Sequence, residues 1–597
     1  MTGFTPPDPF RTRPELRGTF GMAASTHWIA TATAEAVLER DGNAFDAAVA
    51  AAFVLHVVEP HLNGPGGDLV GIYVTADDPT PRVMAGQGPA PAGATIEHYR
   101  GLGFTEMPGS GVLAAAIPGS VPAWFRLLET RGTWELADVL AFAIGYARHG
   151  HPLLAAVVKT LSSVRELFEQ HWPTSAAHWI PGGRMPHPDE VVTNEPYARV
   201  LGRLLAAGAS AATREDRIRA AVEAWSGGFV ADEIARFASA PHYQPSIDRD
   251  APGVLTAADL AGYAASDEDA VTLEFRGTTI AKSAAWGQGP VLLQALAMLD
   301  TFPDEKLDPS TALGIHTITE VLKLALADRD AWYGDGDVPL AELLAPDYAR
   351  ERAALIDDTA SLDFRPGRPG GREPWLPSLH IGAAGDGLAG SGEPTVSRAG
   401  VTRGDTCHLD VVDRHGNLVS VTPSGGWLQS SPTIPALGFC LGSRLQMTWL
   451  DVASPSALTP GRRPRTGLSP TLLLRDGIPV EALGTPGGDQ QDQWQLLYLL
   501  RRLVGGYDPQ QAIDAPMFHT ASHVASFEPR TWSPGELVVE RRMGVEVLAE
   551  LIVRGHLVTV SGDWTLGRLS MVGRDPVTGL LRAAANPRGA QGYAAGR

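Results

Sequence analysis

Residues 405–426 read DTCHLDVVDRHGNLVSVTPSGG, with two apolar-alternating arms, 407–413 and 418–423, joined by Arg414-His415-Gly416-Asn417. Glycine and asparagine accept the positive φ angles that a tight turn demands, so the stretch predicts a β-hairpin. Residues two apart share a face of a strand, which sets Thr406 and His408 on one side and Cys407 on the other. If the turn is tight, antiparallel counting brings residues 424–425 opposite 406–407 and sets Ser424 beside Thr406. A bulge would shift that pairing by one, and Pro423-Ser424-Gly425-Gly426 also reads as a plain loop. A threonine hydroxyl is a weak nucleophile until a base takes its proton. The α-amine of an N-terminal threonine is such a base, titrating at roughly 7.7–8.0. Thr406 gains that amine only if the chain is cut between Asp405 and Thr406. Taken alone, Thr406 reads first as a β-branched residue opening a strand.

The rest of the chain bounds the class. Its 597 residues are ample for a large core, and 44% hydrophobic with 19% charged residues are globular values. A formal net charge of −19 without a basic stripe argues against a nucleic-acid partner. Cys407 and Cys440 are the two cysteines, which excludes a disulfide framework and a multi-cysteine metal site. No run of about 18 apolar residues would span a membrane. The opening MTGFTPPDPFRTRPEL lacks the apolar middle of a secretory signal, so a cytoplasmic location is expected.

In chain order, residues 29–58 have a helical pattern broken at Asp41-Gly42-Asn43. Asn43 is placed to cap a second helix, 44–58, that is apolar nearly all round and therefore buried. The cluster Asn63-Gly64-Pro65-Gly66-Gly67-Asp68 precedes a strand at 69–74. Leu69 stands where a dinucleotide loop has its third glycine, and a strand follows instead of a helix, so the cluster reads as a structural turn. Helices are expected at 120–132 and 134–149, through most of 154–250, from 257, up to about 299, and as a long amphipathic helix at 311–333. A hairpin is expected at 271–284. Residues 358–404, rich in Gly, Pro, Ser and Arg, have the composition of a mobile tether. A second hairpin turns at Arg475-Asp476-Gly477, and its return strand runs into Gly484-Thr485-Pro486-Gly487-Gly488 and a helix at 490–504. The last segment, from 540, holds a helix and a strand pair.

Thr406 and His408 with VVDRHGNLVSVT, GMAAS at 21–25, DGNAFDAAVAAAF at 41–53, the 63–68 cluster and Pro486-Gly487-Gly488 together resemble the γ-glutamyltransferase family. The resemblance covers roughly residues 20–597 and is weakest at 154–250. It implies an α+β fold, the four-layer αββα sandwich of N-terminal-nucleophile hydrolases. It further implies self-cleavage between Asp405 and Thr406 into a large chain, 1–405, and a small catalytic chain, 406–597, forming one composite domain. Thr406 would then be nucleophile and, through its amine, base. Gly487 and Gly488 would supply oxyanion donors and Ser424 a second hydroxyl. No metal or organic cofactor is implied. The partners would be a small-molecule amide and a water or amine acceptor, with further oligomerisation possible in the family.

The donor pocket departs from the family pattern. An Arg-x-x-Ala-Pro motif that clamps the donor α-carboxylate corresponds to Gly86-Gln87-Gly88-Pro89-Ala90-Pro91, which puts Gln87 in the arginine's place. The family's paired serines fall on Thr466-Gly467, and its acid for the donor α-amine falls near Met447. A neutral amide forfeits the bidentate charge-assisted pair, which argues against a γ-glutamyl zwitterion bound in the usual way. Arg444 reads either as a replacement cation or as a solvated surface charge. The expectation is therefore an acylase-like amidohydrolase or acyltransferase. A genuine γ-glutamyl hydrolase or transferase on glutathione-like donors and a processed but inactive binding protein are the alternatives. No Gly-x-Ser-x-Gly elbow occurs.

Overall fold

The hairpin centred on Gly416 lies in the middle of an antiparallel sheet. The computed structural model describes residues 3–382, 406–590 and 592–597. Strands Leu409–Asp413 and Leu418–Ser424 pair with Leu409 opposite Val421 and Val412 opposite Leu418. Gly416 takes φ 101°, and Asp413 Oδ1 accepts the backbone N–H groups of His415, Gly416 and Asn417. One carboxylate thus satisfies the donors of the tight turn.

Among the described residues this sheet has seven strands. Their order is Tyr593–Gly596, Gly21–Ser25, Leu409–Asp413, Leu418–Ser424, Asp68–Val74, Arg82–Gly86 and Ser266–Asp269. A second seven-stranded sheet has the order Leu16–Gly18, Leu581–Ala585, Ser570–Arg574, Ile478–Gly484, Thr471–Arg475, Thr278–Lys282 and Val271–Phe275. Alternation along the strands divides their side chains between separate cores. Met22, Ala24, Val70, Ile72, Val412 and Leu418 of the first sheet share one core with Ala281, Leu472, Ala482, Val572 and Ala583 of the second. Residues of the other parity, such as Leu69, Tyr73, Leu409, Val411 and Val421, pack with the helices Trp28–Leu38, Ala44–Val58, Ser120–Arg131 and Leu136–His149. Ile280, Leu473, Leu483 and Met571 pack with Pro290–Leu299, Ala312–Trp332 and Gln491–Leu503. The chain is thus a mixed helix-and-sheet fold.

All of Ala44–Val58 is buried, and Asn43 with Asp46 closes a capping box at its start, as its apolar circumference and cap residue lead one to expect. Two expectations need correction. The pattern at 311–333 predicts an amphipathic helix, yet all of Ala312–Trp332 except Leu313 and Trp332 is buried. Its polar residues find partners inside: Lys323 with Glu320, Asp328 with Arg352, and Arg329 with Asp330 and Asp489. The described part of the expected tether is also held along this helix. Arg365 reaches Glu320 at 2.8 Å, and the Gly367 N–H donates to Asp328 at 2.6 Å. Asp405 and the rest of 383–405 lie outside the described residues. Among those described, no helix is long and apolar enough to cross a membrane.

Candidate active site

Just before Leu409–Asp413 the chain remains paired, with the Cys407 N–H donating to Pro423 O at 3.0 Å. One residue further out, Thr406 Oγ1 lies 3.1 Å from Ser424 Oγ. The register counted from the turn is therefore the one adopted, with no bulge between. The next rungs on the same face are polar too. His408 Nδ1 meets Thr422 Oγ1 at 2.9 Å, His408 Nε2 meets Asp410 Oδ1 at 2.8 Å, and Ser570 Oγ donates to Asp410 Oδ2 at 2.7 Å. All of these side chains are buried between the sheets. Cys407 points the other way, its thiol donating to Glu59 at 2.9 Å. Burial, reinforced by the Glu59 carboxylate, pushes that thiol well above its ordinary range, so it is no thiolate nucleophile.

The strand Ile478–Gly484 brings a second backbone feature to this face. A Cβ on Gly484 would lie 2.3 Å from the His408 ring, so the strand end needs glycine to sit against the hairpin. The following turn holds Gly487 at φ 133° and Gly488 at φ 50°, a left-handed region that glycine enters without cost. In a trans peptide the N–H points away from the preceding carbonyl. Thr485 Oγ1 donates to Pro486 O at 2.7 Å, which fixes the direction of the Gly487 N–H. Gln490 N–H donates to Gly487 O at 2.9 Å, which fixes that of Gly488. Among the described residues neither glycine N–H meets a protein acceptor. Two oriented, unused donors in a buried turn are what a developing oxyanion needs.

A row of inward-facing residues leads away from Thr406 across the first sheet. Ser424 is paired with Asp68, and Leu69 with Gly86, so Gln87 follows at the Asp68 end of the neighbouring strand. The glycine cluster before Asp68 is a packing turn, because a Cβ on Gly67 would lie 2.2 Å from Ser424 O. Arg444 donates through Nε and Nη2 to the two oxygens of Asp68 at 2.7 and 2.9 Å, and both partners are buried. The reading of Arg444 as a solvated surface charge is therefore set aside. Its Nη1 faces Met447 Sδ at 3.4 Å. Gln87 is buried, its amide donating to Gly88 O at 3.1 Å, and it lines a cleft of about 720 Å³ with Ile117, Tyr263, Glu268 and Arg463. Thr466 and Gly467 lie behind the glycine turn, where a Cβ on Gly467 would be 3.3 Å from the Gly488 backbone. Asp68 is the site residue missed in the sequence. Its only signal there is its place at the end of the glycine cluster.

One group among the described residues has metal-ligand chemistry: His316, Glu320 and His556, with ligand atoms within 4.8 Å of one another. Lys323 and Arg365 already take up the Glu320 carboxylate, and His316 Nδ1 pairs with His556 Nε2 at 2.9 Å. Two cations facing the one carboxylate oppose a divalent ion there.

Comparison with known proteins fits this geometry. A family model described as Gamma-glutamyltranspeptidase matches residues 30–596. The chain is 30% identical over 594 residues to the oxamate amidohydrolase proenzyme of Klebsiella pneumoniae, covering 97% of this chain and 98% of that one. The solved structure of LmbA2991HD superimposes with a TM-score of 0.93 at 52% identity, over 98% of this chain and 100% of that one. Cephalosporin acylase from Bacillus halodurans superimposes with a TM-score of 0.80 at 26% identity, over 100% of this chain and 99% of that one. By a match that runs almost from end to end, the chain belongs to the gamma-glutamyltranspeptidase family.

Proposed function

We propose that the protein is a self-processing amidohydrolase or acyltransferase acting through an acyl-enzyme on Thr406. The observation that carries the reading is the meeting of the Thr406 and Ser424 hydroxyls, 3.1 Å apart, on the sheet face against which the glycine-turn strand also packs. The four-layer αββα arrangement of N-terminal-nucleophile hydrolases is the architecture we infer from the two sheets and their helical outer faces. In the first step Thr406 Oγ attacks the Asp405 carbonyl. The peptide C–N bond breaks as its nitrogen takes the hydroxyl proton, and water hydrolyses the ester, leaving chains 1–405 and 406–597. The new α-amine then accepts the Thr406 hydroxyl proton as Oγ bonds to a substrate amide carbon. Gly487 and Gly488 N–H groups hold the oxyanion. Collapse expels the leaving amine with that proton, and water or an amine then takes the acyl group.

For the acyl group, the residues favour a donor without an amino-acid end. Gln87 offers no charge, Met447 no carboxylate, Thr466-Gly467 one hydroxyl, and the Arg444 and Asp68 charges are already matched to each other. Relatives named as an oxamate amidohydrolase and a cephalosporin acylase support amide cleavage with donors of this kind. Asp68 itself favours a second reading, a γ-glutamyl donor whose ammonium would compete for that carboxylate. The test is a mass-spectrometric search for an acyl adduct on Thr406 after mixing with glutaryl anilide and, separately, γ-glutamyl anilide. An adduct from the glutaryl compound is expected. No adduct on residue 406 from either, in enzyme that hydrolyses them, would overturn the nucleophile assignment.

A further inference from the structure

The glycine turn belongs to the part of the chain after Thr406, but part of its bracing comes from before it. Gln288 Nε2 donates to Gly488 O at 3.0 Å, and Gln288 Oε1 accepts from Arg329 Nη1 at 3.1 Å. The guanidinium therefore decides which end of the amide faces the turn, because a flipped amide would set its NH2 group against a cation. The same Nη1 reaches Asp489 Oδ1 at 2.5 Å, in the residue directly after Gly488. Asp489 also accepts from Ser526 N at 2.8 Å, and Arg329 Nη2 donates to Val524 O at 2.9 Å. Gln288, Arg329 and Asp489 are all buried. Burial alone would raise the Asp489 carboxyl, but Arg329, with His523 and Arg465, holds it well below the usual carboxylate range. The carboxylate is thus a permanent anchor for the guanidinium.

We propose that Gln288 and Arg329 are positioning residues that, from the other side of the cleavage point, hold the Gly488 carbonyl and so keep in place the turn that carries the Gly487 and Gly488 N–H groups. The proposal rests on the reading of those glycines as oxyanion donors. The chain is arginine to amide to carbonyl: Arg329 orients Gln288, Gln288 holds the peptide plane after Gly488, and Asp489 ties the turn back to Arg329. An ordinary buried ion pair would not need the glutamine. Here the glutamine converts the position of the charge into the orientation of the peptide that directly follows the two donor peptides. Once the chain is cut, the large chain would still set transition-state stabilisation on the small chain without touching the substrate.

The test uses processed enzyme with glutaryl anilide and the matching phosphonate, a tetrahedral anion that mimics the oxyanion. Gln288→Met keeps the volume and removes both hydrogen bonds, while Gly488 O keeps its bond from Gln491 N–H. Expected are a fall in kcat of about ten-fold, KM within about two-fold, complete self-cleavage, and phosphonate binding weakened by the same factor as kcat/KM. Gln288→Glu, nearly the same shape, sets a carboxylate against the Gly488 carbonyl and should lose more. It serves as the second variant if the methionine protein folds poorly. Parental phosphonate affinity in a variant that has lost kcat, or parental kcat in the glutamate variant, would overturn the proposal. If the parent forms no adduct on Thr406, the nucleophile reading fails; an adduct forming at the parental rate in both variants sinks only the brace.

Discussion

Replacing Ser424 by alanine removes one hydroxyl from a pair and leaves the strand intact, because residue 424 is held by main-chain pairing to the Asp68 strand. The hydrogen bond that disappears joins Ser424 Oγ to Thr406 Oγ1 over 3.1 Å, between side chains that are both buried. In the resting state such a neutral hydrogen bond is worth about 0.5–1.5 kcal/mol, so a small fall in stability is expected. As Thr406 Oγ loses its proton the bond becomes charge-assisted, worth about 1.5–3 kcal/mol. Only the excess over the resting state slows the reaction, about 1–1.5 kcal/mol, which at about 1.36 kcal/mol per decade is roughly a 5- to 13-fold loss in kcat for Ser424→Ala. Ser424→Thr, which keeps the hydroxyl, should retain most of the activity. The assay is steady-state hydrolysis of glutaryl anilide by protein whose cleavage has been checked by intact mass. A fully cut Ser424→Ala enzyme with kcat within about two-fold of the parent would remove Ser424 from the chemistry. An equal loss in the threonine variant would make the effect steric.

Intact-mass analysis of active protein should find two chains, 1–405 and 406–597, the second of 597 − 405 = 192 residues, whereas Thr406→Ala stays whole; active protein of full-length mass alone would refute the cleavage. Glutaryl anilide should exceed γ-glutamyl anilide in kcat/KM by on the order of 100-fold, since burying an ammonium without a partner costs several kcal/mol. The reverse preference would mean that Asp68 gives up Arg444 to receive the ammonium. Burial holds His27, His56, His61, His519 and His556 neutral, each pushed from the usual imidazole range down to about 3. Their folded-state values are depressed, so the stability they contribute is complete above pH ~6.5 and lost as pH falls toward about 3, at up to ~1.4 kcal/mol per pH unit for each ring. The urea midpoint should therefore be lower at pH 5 than at pH 7, and equal midpoints would contradict the neutral rings.

What is legible in the sequence is local. The hairpin follows from Gly416 and Asn417 between alternating arms, the buried helix from Asn43 and an unbroken apolar circumference, and the packing turn from the glycines before Asp68. Strands Gly21–Ser25 and Ser266–Asp269 escape such a reading because they are short and carry no alternation of their own; each is a strand only because a partner distant in the chain pairs with it. The polar residues of Ala312–Trp332 suggest a solvated face, but they serve partners elsewhere in the chain. Asp68 and Arg444 stand 376 positions apart, and Gln288 and Gly488 stand 200 apart. No periodicity links residues at such distances, so neither pair is foreseeable from pattern.

On the proposed function, the order of strands separates the chemistry from the choice of substrate. Thr406 and Ser424 come from the hairpin, Asp68 from the next strand, and Gln87 follows the strand after that. At about 4.8 Å per strand, Asp68 lies on the order of 10 Å from Thr406 and Gln87 about 14 Å. In the proposed reaction the hairpin and the glycine turn carry the amide cleavage, and the far end of the acyl group would lie away from both. On the proposed function that end would be read by the strands Asp68–Val74 and Arg82–Gly86, where the resemblance leads one to expect an arginine and this chain has a glutamine. A guanidinium is still present, but it comes from Arg444 and is neutralised by Asp68. A donor that brings one carboxylate has only to share this cation. A zwitterion would have to break the pair and satisfy both halves at once, so on the proposed function the reaction type stays that of the family while the preferred acyl group differs.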